Sequence, residues 1–354
     1  MIFAANFFSM FETTLSSIAA IITHYVGNRL KDDELILSEE PSVFDEPTQQ
    51  ILWKYVLSAF KAPEFYQFTH TVDLDMNNVY TLAKNIFDDP NTVNKKSQDL
   101  AKVLYEHSQH PQIKSGEFFV MYFKKLTFGN VTADAIGLFK SEKKEPFLFT
   151  EETDNIIDIH SFQGISPGKV DKACIILNDS AVDGYNVLAV DNVNKGDEAK
   201  YWFEDFLKIK PRSTEYNKTA EVLSITKDFI LNDLGAEDLM DKSEKIDLLN
   251  KSVEFFKENE KFDQEEFSVQ VFEDKDVGDR FRAYTAERDK NEYNFSESFD
   301  ISQDAVKKKQ KIFKSVLKLD KNFSVYIHGN REMIEKGVDE DGRKYYKLFY
   351  EEEA

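Results

Sequence analysis

The sequence predicts an α+β protein: an N-terminal antiparallel sheet packed with helices, then a helical segment and a small C-terminal β-hairpin. Three observations carry this. Between about 116 and 192, short apolar and β-branched runs follow one another across gaps of Gly, Pro, Asn and Asp, as in an antiparallel meander. Before this block, and again after residue 213, apolar residues recur every three to four positions instead. Near the C-terminus the turn pair Asp341-Gly342 separates two strand-like runs. A chain of 354 residues exceeds the usual single-domain size, so two domains are expected, 1–212 and 213–354.

In chain order, an apolar segment with Leu15, Ile18, Ile21 and Ile22 leads through Gly27 to a short strand at Leu35-Ile36-Leu37. The opening residues have the hydropathy of a targeting segment, but no Lys or Arg precedes the apolar part and Glu12 and His24 interrupt it, so no membrane span or export signal is expected. Met10 is an alternative start, with residues 1–9 as an extension. Pro47-Thr48 opens a helix whose packing face is Ile51, Leu52, Tyr55, Val56 and Ala59. Further helices are expected over 77–87 and from Thr92 to just before Pro111.

Six strands then follow: FFVMYFKKLTF, ADAIGLFKSE, PFLFTEE, IIDIHSFQG, KACIILN and YNVLAVDN. One face of their sheet should pack on the preceding helices. After the aromatic and basic connector YWFEDFLKIKPR, helices are expected over 215–234, 243–258 and 263–273, the second with a packing stripe of Ile246, Leu249, Val253 and Phe256. EDKDVGDRFRAYTAERDKNEYN reads as a loop plus an exposed helix, and NFSVYIHG and KYYKLFY as terminal strands.

The formal net charge of −20 excludes whole-molecule attraction to nucleic acid or anionic membrane. Any contact with a polyanion must be local. The stretch from Asp304 to Ile334 is the one concentrated positive patch, with Lys307, Lys308, Lys309, Lys311, Lys314, Lys318, Lys321 and Arg331. Val306, Phe313, Val316 and Leu317 recur at helical spacing, so one stripe can pack while the lysines face water. The plainer reading is a solvated helix face whose lysines offset nearby acids. A second basic set, Lys208, Lys210 and Arg212, interleaves with Trp202 and Phe206. Stacking plus phosphate neutralisation is the sharp reading there, and an aromatic anchor followed by a basic turn the favoured one.

No catalytic or metal motif emerges. Gly164 to Val170 is one residue short of a phosphate loop and ends in Val where Ser or Thr belongs, so it reads as a turn. Asp339-Glu340-Asp341-Gly342 and Asp274-Lys275-Asp276 lack the full calcium-loop pattern. His107 and His110 with Glu106 want a third ligand at a defined spacing. His160 and His328 lie in predicted strands, where neighbours satisfy them. Cys174 reads as core and, alone, forms no intrachain disulfide, which suits a reducing cytoplasm. Neither a cofactor nor a metal is expected.

Several blocks together resemble the NdpA/YejK-type bacterial nucleoid-associated proteins, in the branch of Bacteroidetes-type genomes. They are HYVGNRLKDDELILSEEP, FKSEKKEPFL, VDNVNKGDEAKYWFEDFLKIKPR, LLNKSVEFFKE and FDISQDAVKKKQKIFKSVLKLDKNFSVYIHGNREMIEKG. The resemblance covers the chain from about residue 12 onward, and it implies a cytoplasmic, nucleoid-bound protein without a catalytic centre. Its partner would be double-stranded DNA or DNA-bound proteins. The family supplies no residue-level site, so the lysine assignments rest on charge. The leading expectation is weak, sequence-tolerant DNA binding through the C-terminal patch. The alternative is an acidic adaptor recruited to the nucleoid by a DNA-processing protein. A homo-oligomer would suit either, since duplicated weak sites gain avidity.

Overall fold

The computed structural model describes residues 11–129, 131–193, 200–234, 242–291, 293–310, 313, 316–319, 321, 323–326 and 333–350. The fold is α+β, and the chain divides into two compact units between Arg212 and Ser213. The alternative start Met10 lies outside the described residues.

The first unit is built on a nine-stranded sheet. Its strands are β1 (Phe11–Glu12), β2 (Ser17–Val26), β3 (Leu35–Ile36), β4 (Phe65–Phe68), β5 (Gly116–Phe128), β6 (Val131–Ser141), β9 (Lys172–Leu177), β10 (Asn186–Asp191) and β11 (Ile209–Pro211). They run in the order β11-β4-β10-β9-β6-β5-β2-β3, with β1 also on β5, and all described pairings are antiparallel. The apolar segment near the N-terminus is therefore strand β2, paired along its length with β5.

Both faces of the sheet are covered. Helix α1 (Glu46–Ala59) starts where the Asp45 carboxylate accepts the Thr48 N–H at 2.9 Å, and it buries Tyr55, Val56 and Ala59 on one face. Ile51, expected on that face, is exposed. Helices α2 (Asn78–Asp88) and α3 (Val93–His107) cover the other face through residues such as Val79, Ile86, Leu100 and Leu104. The connector Tyr201–Leu207 winds as a π-helical turn on the same face and buries Trp202 and Phe206. A sheet covered twice needs strands that are apolar on both sides. β9, Lys-Ala-Cys-Ile-Ile-Leu, is buried at every residue, and Cys174 is core, as its setting implies.

The predicted meander differs at one place. The six expected strands form, but β7 (Glu145–Thr153) and β8 (Ile156–Gly164) leave the sheet as a separate two-stranded ribbon, and β6 pairs directly with β9. Period-two patterning defines a strand and not its neighbour.

At the end of the α2/α3 face, Lys140, Lys172 and Asp191 sit side by side on β6, β9 and β10. Both lysines are fully buried. Lys172 Nζ lies 3.2 Å from Glu142 Oε1 and 3.3 Å from Asp191 Oδ1, and Lys140 Nζ lies 3.4 Å from Glu142 Oε1. Lys140 also donates to the Lys114 carbonyl at 2.8 Å, and the Tyr201 hydroxyl donates to Glu142 at 2.9 Å. Burial pulls the Lys140 amine down to about 8, against the pull of Glu142. Burial beside Glu142 drives the Tyr201 hydroxyl upward. Two cations and two carboxylates thus compensate one another out of water.

The second unit packs α4 (Glu215–Asp228), continued by a π-helical turn Phe229–Asp233, with α5 (Lys242–Glu258), α6 (Gln264–Phe272), α7 (Lys275–Arg288) and α8 (Gln303–Lys309). The core is rich in phenylalanine; Phe256, Phe262 and Phe267 lie in mutual contact range, and Phe281 packs against Phe267. The expected stripe Ile246, Leu249, Val253 and Phe256 is buried. Helix α7, expected to be exposed, buries Phe281 and Tyr284 in that core. Short strands complete the unit: β12 (Lys261–Phe262) with β13 (Phe299–Asp300), β14 (Val316–Leu319) with β15 (Phe323–Tyr326), and β16 (Ile334–Val338) with β17 (Lys344–Leu348). The Asp341-Gly342 turn forms the last hairpin, with Gly342 at φ 81°.

Two predictions follow from these contacts. Lys172→Ala strips one cation from two buried carboxylates and should cost about 3–5 kcal/mol in the denaturant transition of the first unit. His24 is buried between Ser97 Oγ and the Ser38 N–H, and burial lowers it to about 4. The unfolded chain binds this proton near 6.5, so the folded state loses stability as pH falls from about 6.5 towards 4. The loss should reach about 2–3 kcal/mol, and His24→Gln should flatten that limb of the stability profile.

Candidate nucleic-acid interface

The predicted basic helix is shorter than its apolar spacing implies. Ser302 caps α8 by accepting the Ala305 N–H, and Asp304 occupies the first turn. Lys307, Lys308 and Lys309 fill the last turn, where the negative end of the helix dipole favours cations. The α-helix ends at Lys309. Val316 and Leu317, expected on its packing stripe, instead lie in strand β14, antiparallel to β15 across the three-residue connection 320–322. Short-range β pairing there overrides the helical spacing. Of the proposed stripe, Val306 and Phe313 are buried in the second core.

The lysines divide by surroundings. Lys307 is 74% exposed, with its amine 4.0 Å from the equally exposed Asp304. Lys308 is exposed, its amine 5.9 Å from the Tyr216 ring centroid. Lys309 is half-buried and donates to Ser224 Oγ at 3.0 Å. Lys321 is exposed at the turn of the β14–β15 hairpin. Lys318 pairs with Ser324 in β14 through its backbone. Lys311, Lys314 and Arg331 lie outside the described residues. A Lys307–Asp304 contact at this exposure contributes little and is screened by salt, so the amine stays available to a phosphate.

The second basic set comes apart in the structure. Trp202 and Phe206 are buried and cannot stack on bases. Lys208 takes a left-handed backbone, φ 52°, and its carbonyl accepts the Thr69 N–H and an Asn77 amide hydrogen. Lys210 is exposed on edge strand β11. Arg212 is anchored: its guanidinium donates to Asn186 Oδ1 at 2.6 Å and to the Tyr185 carbonyl at 3.2 Å, and lies 3.7 Å from Asp183, with 16% of the side chain exposed. The aromatic anchor followed by a basic turn is the reading that fits these positions. Arg212 closes the edge of the sheet and is not displayed for a phosphate.

The motifs weighed for metal or phosphate behave as turns. Asp274 caps α7 through the Asp276 and Val277 N–H groups, and Asp339 accepts from the Asp341 and Arg343 N–H groups. Among the described residues no group of three His, Cys, Asp or Glu is placed to hold a metal. Gly164 to Val170 links β8 to β9, so no helix follows it as a phosphate loop requires. It does line a cleft of about 280 Å³ with Lys61, Lys143 and Lys169. Sequence reasoning missed this cleft because its lysines come from three separate segments.

These features define an acidic α+β protein of two units, with exposed cations at the end of one short helix and at a neighbouring hairpin turn. The chain belongs to the family described as nucleoid-associated protein YejK, whose sequence profile matches residues 22–343. That membership supports a nucleoid-associated role and agrees with the resemblance carried by the sequence blocks. No curated protein matches the chain. Among the described residues no helix is long and apolar enough to cross a membrane.

Because Arg212 serves the fold, Arg212→Ala should lower the stability of the first unit by about 1–3 kcal/mol. DNA affinity measured below the unfolding transition should stay unchanged.

Proposed function

We propose that this protein is a non-enzymatic nucleoid component that contacts duplex DNA through the cationic surface of its second unit. The contact is with phosphates, weak and sequence-tolerant. The observation that carries this reading is the exposure of Lys307, Lys308 and Lys321 in a protein of net charge −20. Family membership supports the nucleoid setting. Lys318, Lys311, Lys314 and Arg331 belong to the same stretch and extend the proposed contact. Phosphate contacts position a protein without reading sequence.

The −20 charge favours a second reading, in which a basic DNA-processing protein is the direct partner and carries this chain to the nucleoid. Nuclease treatment separates the two. Direct binding is lost when the DNA is digested, whereas an adaptor stays on its protein partner.

The salt dependence of duplex binding tests the first reading. About five neutralised phosphates give a log–log slope of about −4 to −5. The variant Lys307→Glu/Lys308→Glu/Lys321→Glu should flatten the slope by about 3 and weaken binding at low salt by at least about tenfold. Unaltered affinity and slope would reject the site. Magnesium-dependent turnover of any nucleic-acid substrate would reject the non-enzymatic reading.

A further inference from the structure

The ribbon β7–β8 is a projecting arm. Its nine-residue strands run about 30 Å at the usual rise per residue. The two residues of its turn, Asp154 and Asn155, have φ 51° and 64°, the left-handed pair that matches the twist of a tight hairpin. Nearly every residue of the arm is exposed. Directly opposed residues point to the same face. One face is aromatic near its base, where Phe147 and Phe162 stack at 5.6 Å and Phe149 lies 5.3 Å from His160. The other presents Leu148, Ile159 and Ile157, which are 77%, 71% and 69% exposed. A two-stranded ribbon with such a face is marginal in water by itself and calls for a partner.

The arm's charge excludes DNA as that partner. From Glu145 to Gly164 it carries five acids and no Lys or Arg. The acids Glu151, Glu152, Asp154 and Asp158 gather towards the tip, whereas exposed Lys143 and Lys61 stand at the base. We propose that the occupant is a second copy of this chain, with two arms packed antiparallel across a twofold axis at Ile159. The register of the hairpin makes this arrangement self-complementary. Ile159 meets its own counterpart, and Leu148 of each arm lies opposite Glu152 of the other and diagonal to its Ile157. The acidic tip of each arm then comes to the lysine-bearing base of its partner. Three apolar side chains and the tip-to-base contacts from each arm make an interface smaller than the about 1,200–2,000 Å² of a standard complex. The dimer is therefore weak and concentration-dependent. This pairing is independent of the lysines of the second unit.

Sedimentation equilibrium of the full chain over a concentration series tests it. The wild type should dimerise with a Kd of tens of micromolar. Ile159→Glu places like charges on the axis and should weaken association at least tenfold, with an unchanged thermal midpoint, since its side chain is exposed. Lys143→Glu should weaken association several-fold, and adding Asp154→Lys to it should restore much of the loss. A wild type that stays monomeric to several hundred micromolar overturns the proposal, and so does a dimer whose Kd ignores Ile159→Glu. A monomer whose arm is covered only when another protein is added would give the arm to that protein instead.

Discussion

The first unit depends on a sheet whose central strands are covered on both faces. Helix α1 closes one side, and α2, α3 and the π-helical turn close the other. That constraint makes β9 apolar from Ala173 to Leu177 and gives the unit two cores instead of one. It also dictates the ion cluster. Lys140 and Lys172 reach into the α2/α3 layer where no solvent can stabilise them, so Glu142 and Asp191 must stand beside them and Tyr201 must close over the group. Removing one member would leave charge without compensation in a low-dielectric site.

The same principle separates cations that hold the fold from cations exposed to solvent. Arg212, Lys140 and Lys172 are matched by buried or half-buried acceptors and belong to the architecture. Lys307, Lys308 and Lys321 are exposed, and their charge is projected into solvent. Lys309 stands between the two groups, with its amine on Ser224. A strongly acidic protein repels DNA as a whole, so a contact depends on amines close enough to a phosphate to outweigh that background. The β7–β8 arm answers a different need, because it escapes the covering layers and keeps an apolar face in water.

Much of the fold was legible. Helices α1, α2 and α3, the stripe Ile246–Phe256 on α5 and the six central strands follow from local periodicity. The misreadings share a cause. Ile51 lies outside the packed face of α1, and Phe281 of α7 joins a core drawn from segments spread between Val222 and Phe313. Helical spacing at Val316 and Leu317 lost to pairing with β15. The lysine cleft at the arm base, assembled from Lys61, Lys143 and Lys169, left no local signal.

By itself the sequence determined the α+β class, the acidic background, the local runs of strand and helix, and the family, because these are written in composition, period and contiguous blocks. Tertiary structure decided which strands are neighbours, which lysines are buried or anchored and which stay in water, and that β7–β8 stands clear of the sheet. A side chain's type is local information. Its access to solvent is set by residues scattered along the chain, and that access governs whether a charge or an apolar surface serves the fold or remains open to a partner.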